Sequence, residues 1–273
     1  MDVPALLLTS SAIPFDSSVK LIDPSLRIKH TLESIEQWLK IAPEIQIVVC
    51  DGSNYDFTQI VRTRFPGARI ECLYFNNDQT LVAHHGKGYG EGEIIKYAIH
   101  HSAVIQRSGY FAKCTGKLWV NSFWQCLEEW NGRFMCAAHF KDVFSLKKTR
   151  LAYIDTRFYL AEKDFYLKYF NDAHLGLGGP CGYSIEDSFR DIVLDKQLQG
   201  VLFKRTPEVD GVGGGSGTYI KNNTRRRLKS ALRLRLVQAN KVFSPLFASS
   251  RPFLRGGRML ALVVLVLLTV PLY

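Results

Sequence analysis

The chain has 273 residues, 47% of them hydrophobic, and a formal net charge of +10; that is enough for one large domain with a substantial core and an appendage, and too few for two full-sized domains. The charge is unevenly placed: the last carboxylate is Asp210 and residues 221–273 hold 11 of the 35 basic residues, so residues 1–220 are close to neutral and carry no basic nucleic-acid footprint. The six cysteines, Cys50, Cys72, Cys114, Cys126, Cys136 and Cys181, show no CxxC spacing and mostly sit in apolar runs, which argues for reduced, buried thiols over a zinc site or a disulfide framework.

Met1-Asp2-Val3-Pro4 leads directly into an apolar run without a basic leader, which predicts a cytosolic domain. Residues 5–9 read as a short buried strand. Asp23-Pro24 marks the start of a helix over 25–40, with Ile28, Leu32, Ile35 and Leu39 on one face. A continuous apolar run over 45–50 reads as a second strand ending in Asp51-Gly52-Ser53, followed by a short helix over 57–65 and a third strand over 70–75. This βαβαβ opening predicts a mostly parallel α/β sheet flanked by helices, with a ligand site at the carboxyl ends of the strands. Asp51 then falls where such a sheet receives the base or ribose of a nucleotide, although an Asp-Gly turn that only ends a strand fits equally well.

Gly86-Lys87-Gly88-Tyr89-Gly90-Glu91-Gly92-Glu93 opens the next helix. Gly88 and Gly90 let the backbone approach a ligand, the helix start offers free N–H groups, Lys87 supplies a point charge for a phosphate, and Glu91 orients its neighbours. Glu91 and Glu93 also favour the helix dipole, which is the competing, purely local reading. A fourth strand over 110–114 leads to Thr115-Gly116-Lys117, where Lys117 and Lys113 offer fixed cations; a surface lysine after a strand is the alternative. A helix over 123–129, a strand over 134–139 and an irregular aromatic-rich stretch over 153–170 come next.

A Gly/Pro turn over 176–182 leads into a helix over 185–194. Glu186 and Asp187 begin it and are candidate bases for an acceptor hydroxyl, while Ser184 to Asp187 also fits a helix cap. Asp155, in Ile154-Asp155-Thr156-Arg157-Phe158, is the competing base, with an Asp155 to Arg157 ion pair as its alternative; His139 reads as a core histidine. Residues 209–219 read as a loop, in which Asp210, Gly214 and Ser216 form a flexible lid, with Arg157 a further contact for an acceptor. A linker reading competes.

The division is a catalytic domain over 1–220 and a tail over 221–273. Helical projection of 225–243 places Leu228, Ala231, Leu232, Leu236, Ala239, Val242 and Phe243 on one side, with Arg226, Lys229, Arg233 and Lys241 opposite and Arg235 interrupting the stripe; such a helix suits an anionic membrane surface. Residues 259–273 carry no charge. As a helix they reach only about 22 Å against a hydrocarbon core of about 30 Å, so they dip into a bilayer more readily than they span it.

The order of Asp51-Gly52-Ser53 after a strand, Gly-Lys-Gly-x-Gly-Glu at a helix start, Phe-x-Lys-x-Thr-Gly-Lys at a strand end, Asp155-Thr156-Arg157-Phe158 and a late Glu186-Asp187 resembles bacterial glycosyltransferases of polysaccharide and O-antigen assembly, similar to the GT-A superfamily. The resemblance covers residues 3–220. It implies a GT-A-like fold, a nucleotide-sugar donor such as a UDP-sugar, a saccharide or lipid-linked glycan acceptor, and work at the cytoplasmic face of the inner membrane. It also implies nucleotide contact at Asp51, donor roles for Lys87, Glu91 and Lys117, and a base at Asp187 or Glu186. An inverting single displacement is the favoured chemistry. Such enzymes commonly hold Mg2+ or Mn2+ on an Asp-x-Asp motif; none occurs here, so two alternatives stand, a donor site in which Lys117 and Lys113 replace the metal and one that still takes Mg2+ or Mn2+. Two other classes compete: a nucleic-acid-associated protein with a basic tail, against which the charge-free 259–273 segment argues, and an inactive membrane-bound scaffold of the same fold.

Overall fold

The computed structural model describes residues 3–145, 148–178, 182–221 and 224–247. In chain order the elements are β1 (Ala5–Ser10), α1 (Pro24–Ile41), β2 (Ile47–Asp51), α2 (Thr58–Arg64), β3 (Ile70–Tyr74), α3 (Gln79–His85), α4 (Lys87–His101), α5 (Ala103–Ser108), β4 (Tyr110–Thr115), β5 (Leu118–Val120), α6 (Phe123–Glu128), β6 (Phe134–Lys141), β7 (Arg150–Glu162), α7 (Lys163–Tyr169), α8 (Ile185–Asp195), β8 (Val209–Val212), β9 (Tyr219–Ile220) and α9 (Thr224–Ala239), with a short 3-10 turn at Ser244–Leu246.

Six strands form the central sheet in the order β3-β2-β1-β4-β7-β6. The first four are mutually parallel, and β7 runs against both β4 and β6. The sheet is buried on both faces because the side-chain period of a strand is two: Ala5 and Leu7 enter one apolar cluster with Ile94, Ile95 and Ala98 of α4 and Phe189 of α8, while Leu6 and Leu8 enter the other with Leu32, Ile35 and Trp38 of α1. The mostly parallel, helix-flanked α/β sheet is the architecture that the strand and helix alternation predicts.

Helix α1 starts where Asp23-Pro24 places it, since the Asp23 carboxylate accepts from the Ser25 and Leu26 N–H groups. Its buried face differs from the expected one. Ile28 and Leu39 are only half-buried, and Arg27, Thr31, Ser34 and Trp38 join Leu32 and Ile35 inside. The polar members are accommodated because Ser34 Oγ and Trp38 Nε1 both donate to the Leu118 carbonyl, which locks α1 onto β5.

Two expectations are corrected. The irregular stretch over 153–170 is a 13-residue strand, β7, followed by α7; aromatic side chains at Phe158 and Tyr159 fill opposite faces of the sheet, so the strand lacks the apolar-polar alternation of a one-sided sheet. The loop over 209–219 is an antiparallel hairpin, β8 and β9, that completes a second sheet of order β5-β8-β9. Its glycines are concentrated in the connection at 213–217, with valine-bearing strand on one side of it.

Helix α9 lies on the domain. Leu234 packs against the core, Val237, Phe243, Leu246 and Phe247 belong to it, and Arg233 donates to the Phe140 carbonyl. Phe243, on the apolar stripe of the projected helix that suits a membrane, lies beyond the end of α9 and packs into the core instead. Leu228, Leu232 and Val242 of that stripe remain exposed. The segment at 245–247 runs beside Leu202, which itself pairs with Cys136 of β6, so the sheet edge is covered. No helix among the described residues is long and apolar enough to cross a membrane, and the 259–273 segment lies outside them.

Candidate active site

A cleft of about 600 Å3 opens at the carboxyl ends of β1, β2 and β4, the position at which parallel α/β sheets bind ligands. Of the residues that the sequence singles out, Lys87, Gly88, Gly90, Glu91, Thr115, Lys117, Arg157, Glu186, Gly214 and Ser216 line it. Segments more than 100 residues apart in the chain thus converge on one space.

The floor is set by a buried ion pair. Lys113 is fully buried, and its ammonium contacts Glu91 Oε1 at 2.7 Å and the Thr156 carbonyl at 2.7 Å. The same Glu91 oxygen accepts from Thr9 Oγ1 and Thr115 Oγ1. Burial alone raises the Glu91 carboxyl, but the Lys113 charge and these hydrogen bonds outweigh it and hold it below the ordinary glutamate value. Lys113 therefore serves Glu91 from beneath and does not line the cleft, so it is not positioned to reach a donor.

Lys117 stands in a different environment. It is 3% exposed and lines the cleft; its carbonyl accepts from the Val212 N–H, while its ammonium has no hydrogen bond or ion pair among the described residues. Burial lowers its ammonium to about 7, with the neighbouring Arg27 charge adding to the effect and Asp51 and Glu91 opposing it. Gly116 carries it into place: the Gly116 N–H donates to the Thr9 carbonyl, and a Cβ at this position would lie 2.5 Å from that oxygen. Ser10 Oγ, on the same wall, is buried without a partner among the described residues. A cation that faces the cleft and a buried hydroxyl, neither with a side-chain partner among the described residues, make a wall suited to an anion.

Three other expectations at this wall change. Asp51 does not reach the cleft surface. Its fully buried carboxylate accepts from the N–H groups of Ala12, Ser53 and Tyr55 and from Ser53 Oγ, which binds the loops after β1 and β2 together behind the wall. The start of α4 is not free, since the Lys87 N–H donates to Asp16 Oδ2 at 2.8 Å. The lid residues form the β8–β9 turn, with Ser216 Oγ bonded to Thr218 Oγ1, while Asp210 lies outside the cleft and accepts from Asn121.

The far wall comes from β7 and α8. Between the pairs Cys136↔Tyr159 and Ala137↔Asp155 the ladder of β6 and β7 is interrupted, and the bulged Thr156 and Arg157 turn to the cleft. Asp155 engages the Arg157 guanidinium, with Nε donating at 2.8 Å to Oδ1. The geometry is the ion-pair alternative, and neither Asp155 oxygen faces the cleft. Asp187 is likewise occupied: it completes a capping box with Ser184 and pairs with Arg190 at 2.8 Å. Among the described residues three carboxylates line the cleft, and Glu186 is the one that no cation or backbone N–H engages: Glu91 is held by Lys113 and two hydroxyls, Asp16 accepts from the Ser18 and Lys87 N–H groups, and Glu186 is touched by Thr156 Oγ1 at 3.3 Å.

Arg27, Ser10 and Asp16 are site residues that the sequence reading missed. Arg27 donates to the carbonyls of Ser11, Leu21 and Gly214, tying the 11–23 loop to the glycine turn. Its signal was the polar file Arg27, Thr31, Ser34 on the buried side of α1. Among the described residues no group of three His, Cys, Asp or Glu side chains is arranged to hold a metal ion. The donor set does not fit a divalent cation: the strand end offers Lys117 in place of carboxylates, and Glu91 is committed to Lys113, Thr9 and Thr115.

No family model matches the sequence, and no curated protein matches it. Among solved structures, the chain is similar to HddC from Yersinia pseudotuberculosis at 10% identity and a TM-score of 0.46, over 85% of this chain and 99% of that one. It is also similar to the galactosyltransferase LgtC in complex with donor and acceptor sugar analogues, at 8% identity, a TM-score of 0.41 and 72% of each chain. For mouse xyloside xylosyltransferase 1 the values are 9%, 0.42, and 73% and 83% of the two chains.

Proposed function

We propose that the chain is a glycosyltransferase that binds a nucleotide-sugar donor in this cleft and passes the sugar to a saccharide or lipid-linked acceptor in cell-surface polysaccharide assembly. The observation that carries this reading is Lys117, a 3% exposed cation without a partner among the described residues, on the wall of a 600 Å3 cleft that also holds the Glu186 carboxylate. Lys117, Lys87 and Ser10 Oγ receive the diphosphate. Glu186 takes the proton of an acceptor hydroxyl as that oxygen attacks the anomeric carbon; the bond to the diphosphate oxygen breaks, and Lys117 stabilises the charge that departs. No divalent cation enters this scheme. Arg157, aimed at the cleft by the bulge and held by Asp155, orients the acceptor.

The exposed apolar side chains Leu228 and Leu232 of α9 and Val242 just beyond it, with Lys229 and Lys241 beside them, support contact with an anionic bilayer at the cytoplasmic face of the inner membrane. Sedimentation with vesicles containing an anionic lipid tests it; absence of binding in low salt removes this part of the reading.

A thermal-shift screen against nucleotide sugars tests the donor assignment. Stabilisation by at least one is expected, accompanied by slow release of free sugar, and a uniformly unresponsive protein contradicts it.

A further inference from the structure

We propose that anion binding in this cleft is proton-coupled: a bound diphosphate supplies the counter-charge that Lys117 lacks, its arrival moves one proton from solvent onto the Lys117 Nζ, and Arg27 is the positioning residue that creates the requirement. The inference rests on the donor-site reading above and deepens it.

Every element packed around Lys117 contributes to the argument. From α1, Arg27 brings a second buried cation, 6% exposed, whose own guanidinium is lowered to about 10 by burial against the pull of Asp51. From β2, Asp51 offers a negative charge, but four donors already share its oxygens. From α4, Glu91 is held by Lys113 and two hydroxyls. From the β8–β9 turn only backbone approaches; a Cβ at Gly214 would lie 3.9 Å from Lys117 Nζ, and one at Gly215 would lie 2.5 Å from Lys87 Nζ. The wall provided by β1 adds the uncharged Ser10 and Thr9. Two cations therefore share one wall of the cleft, and the nearby Asp51 and Glu91 carboxylates are bonded elsewhere.

Arg27 cannot lose its charge near neutrality, so the ammonium of Lys117 is the group that yields. Its titration at about 7 agrees with this division. Arg27 also fixes the geometry, because its guanidinium joins Ser11, Leu21 and Gly214 and so holds the glycine turn over the lysine heads. A diphosphate placed there restores the charge balance, and the neutral amine takes a proton to meet it. The sign follows from linkage: affinity is independent of pH well below 7 and falls about tenfold per pH unit above it, with about one proton taken up per ligand bound.

The test is calorimetric titration of the full chain with UDP-glucose, GDP-mannose and ADP-glucose, whose diphosphate diesters keep a constant charge across the neutral range. Each titration is run near pH 8 in two buffers of different ionisation enthalpy. For whichever probe binds, the expected heats differ by about the difference between the two buffers' ionisation enthalpies, as for about one proton taken up per ligand. Lys117→Arg, which stays charged, is expected to bind without that difference, and Arg27→Gln to reduce it, while Arg27→Lys retains it. Binding with identical heats in both buffers, or a difference that survives in Lys117→Arg, overturns the inference and leaves the donor site standing. Failure of all three probes to bind the folded wild-type chain overturns both.

Discussion

The fully buried Lys113 ammonium lies 2.7 Å from the Glu91 carboxylate, whereas Lys117, four residues on and nearly as buried, has no carboxylate partner among the described residues. One lysine neutralises the floor of the cleft and the other is left to charge its wall. Removing the first strands its partner: Lys113→Met is expected to lower the unfolding free energy by about 1–3 kcal/mol, because a partly buried carboxylate loses its counter-ion. Adding Glu91→Gln to that variant should recover part of the loss. Urea denaturation of the two variants checks this; equal stability of Lys113→Met and wild type would show that the pair carries no such coupling.

The two carboxylates at the start of α8 stand in different settings, Glu186 on the cleft and Asp187 in the capping box. Glu186→Gln is expected to lower turnover by about 100-fold to 10,000-fold with little change in melting temperature, as for loss of a general base. Asp187→Asn weakens the capping box and the Arg190 pair, costing about 1 kcal/mol of stability with turnover changed only a few fold. Steady-state rates and thermal melts on both variants distinguish the roles, and the reverse pattern assigns the base to Asp187.

Gly116 links packing to chemistry. Gly116→Ala would place a methyl 2.5 Å from the Thr9 carbonyl, and backbone has to shift to relieve it. A loss of about 1–3 kcal/mol is expected, together with weaker donor binding, since Lys117 follows directly. An alanine variant with wild-type stability and affinity would mean that β1 and the 115–117 segment move apart freely.

Stability should also depend on pH through Lys117. In the unfolded chain the ammonium titrates at its ordinary 10.5, and in the native cleft at about 7. Between those values the unfolded state binds more protons, so stability rises as pH increases from about 7 and is lost as pH falls through it. Lys117→Met should remove this component and be more stable than wild type at neutral and mildly acidic pH. Chemical denaturation of both proteins from about pH 6 to about pH 8.5 measures the difference, which must shrink towards the alkaline end.

The sequence was most readable where local rules act alone. The apolar runs of β1 and β2, the Asp23-Pro24 cap of α1 and the glycine-rich start of α4 all follow from short-range physics, and the βαβ order places the cleft lined by Lys87, Glu91 and Lys117 at the carboxyl ends of the strands. It was least readable where partners lie far apart in the chain. Whether Asp51 faces a ligand depends on N–H groups of Ala12 and Tyr55, and whether Asp155 or Asp187 is available depends on Arg157 and Arg190. Arg27 was hidden for the same reason, since the carbonyl of Gly214 that it binds is 187 residues away. The bulge that aims Arg157 has no marker in the sequence; it shows only in the register, where Cys136 pairs with Tyr159 and the next residue, Ala137, with Asp155.

The central claim is that a lysine, and no divalent cation, holds the donor diphosphate. Titration of a nucleotide sugar into wild type and Lys117→Met, each in chelator and in Mn2+, tests it most directly. The predicted result is wild-type affinity that is the same with and without metal and falls about 10-fold to 100-fold in Lys117→Met, as for a lost charge-assisted hydrogen bond. Binding that requires the cation, or that Lys117→Met leaves unchanged, contradicts it.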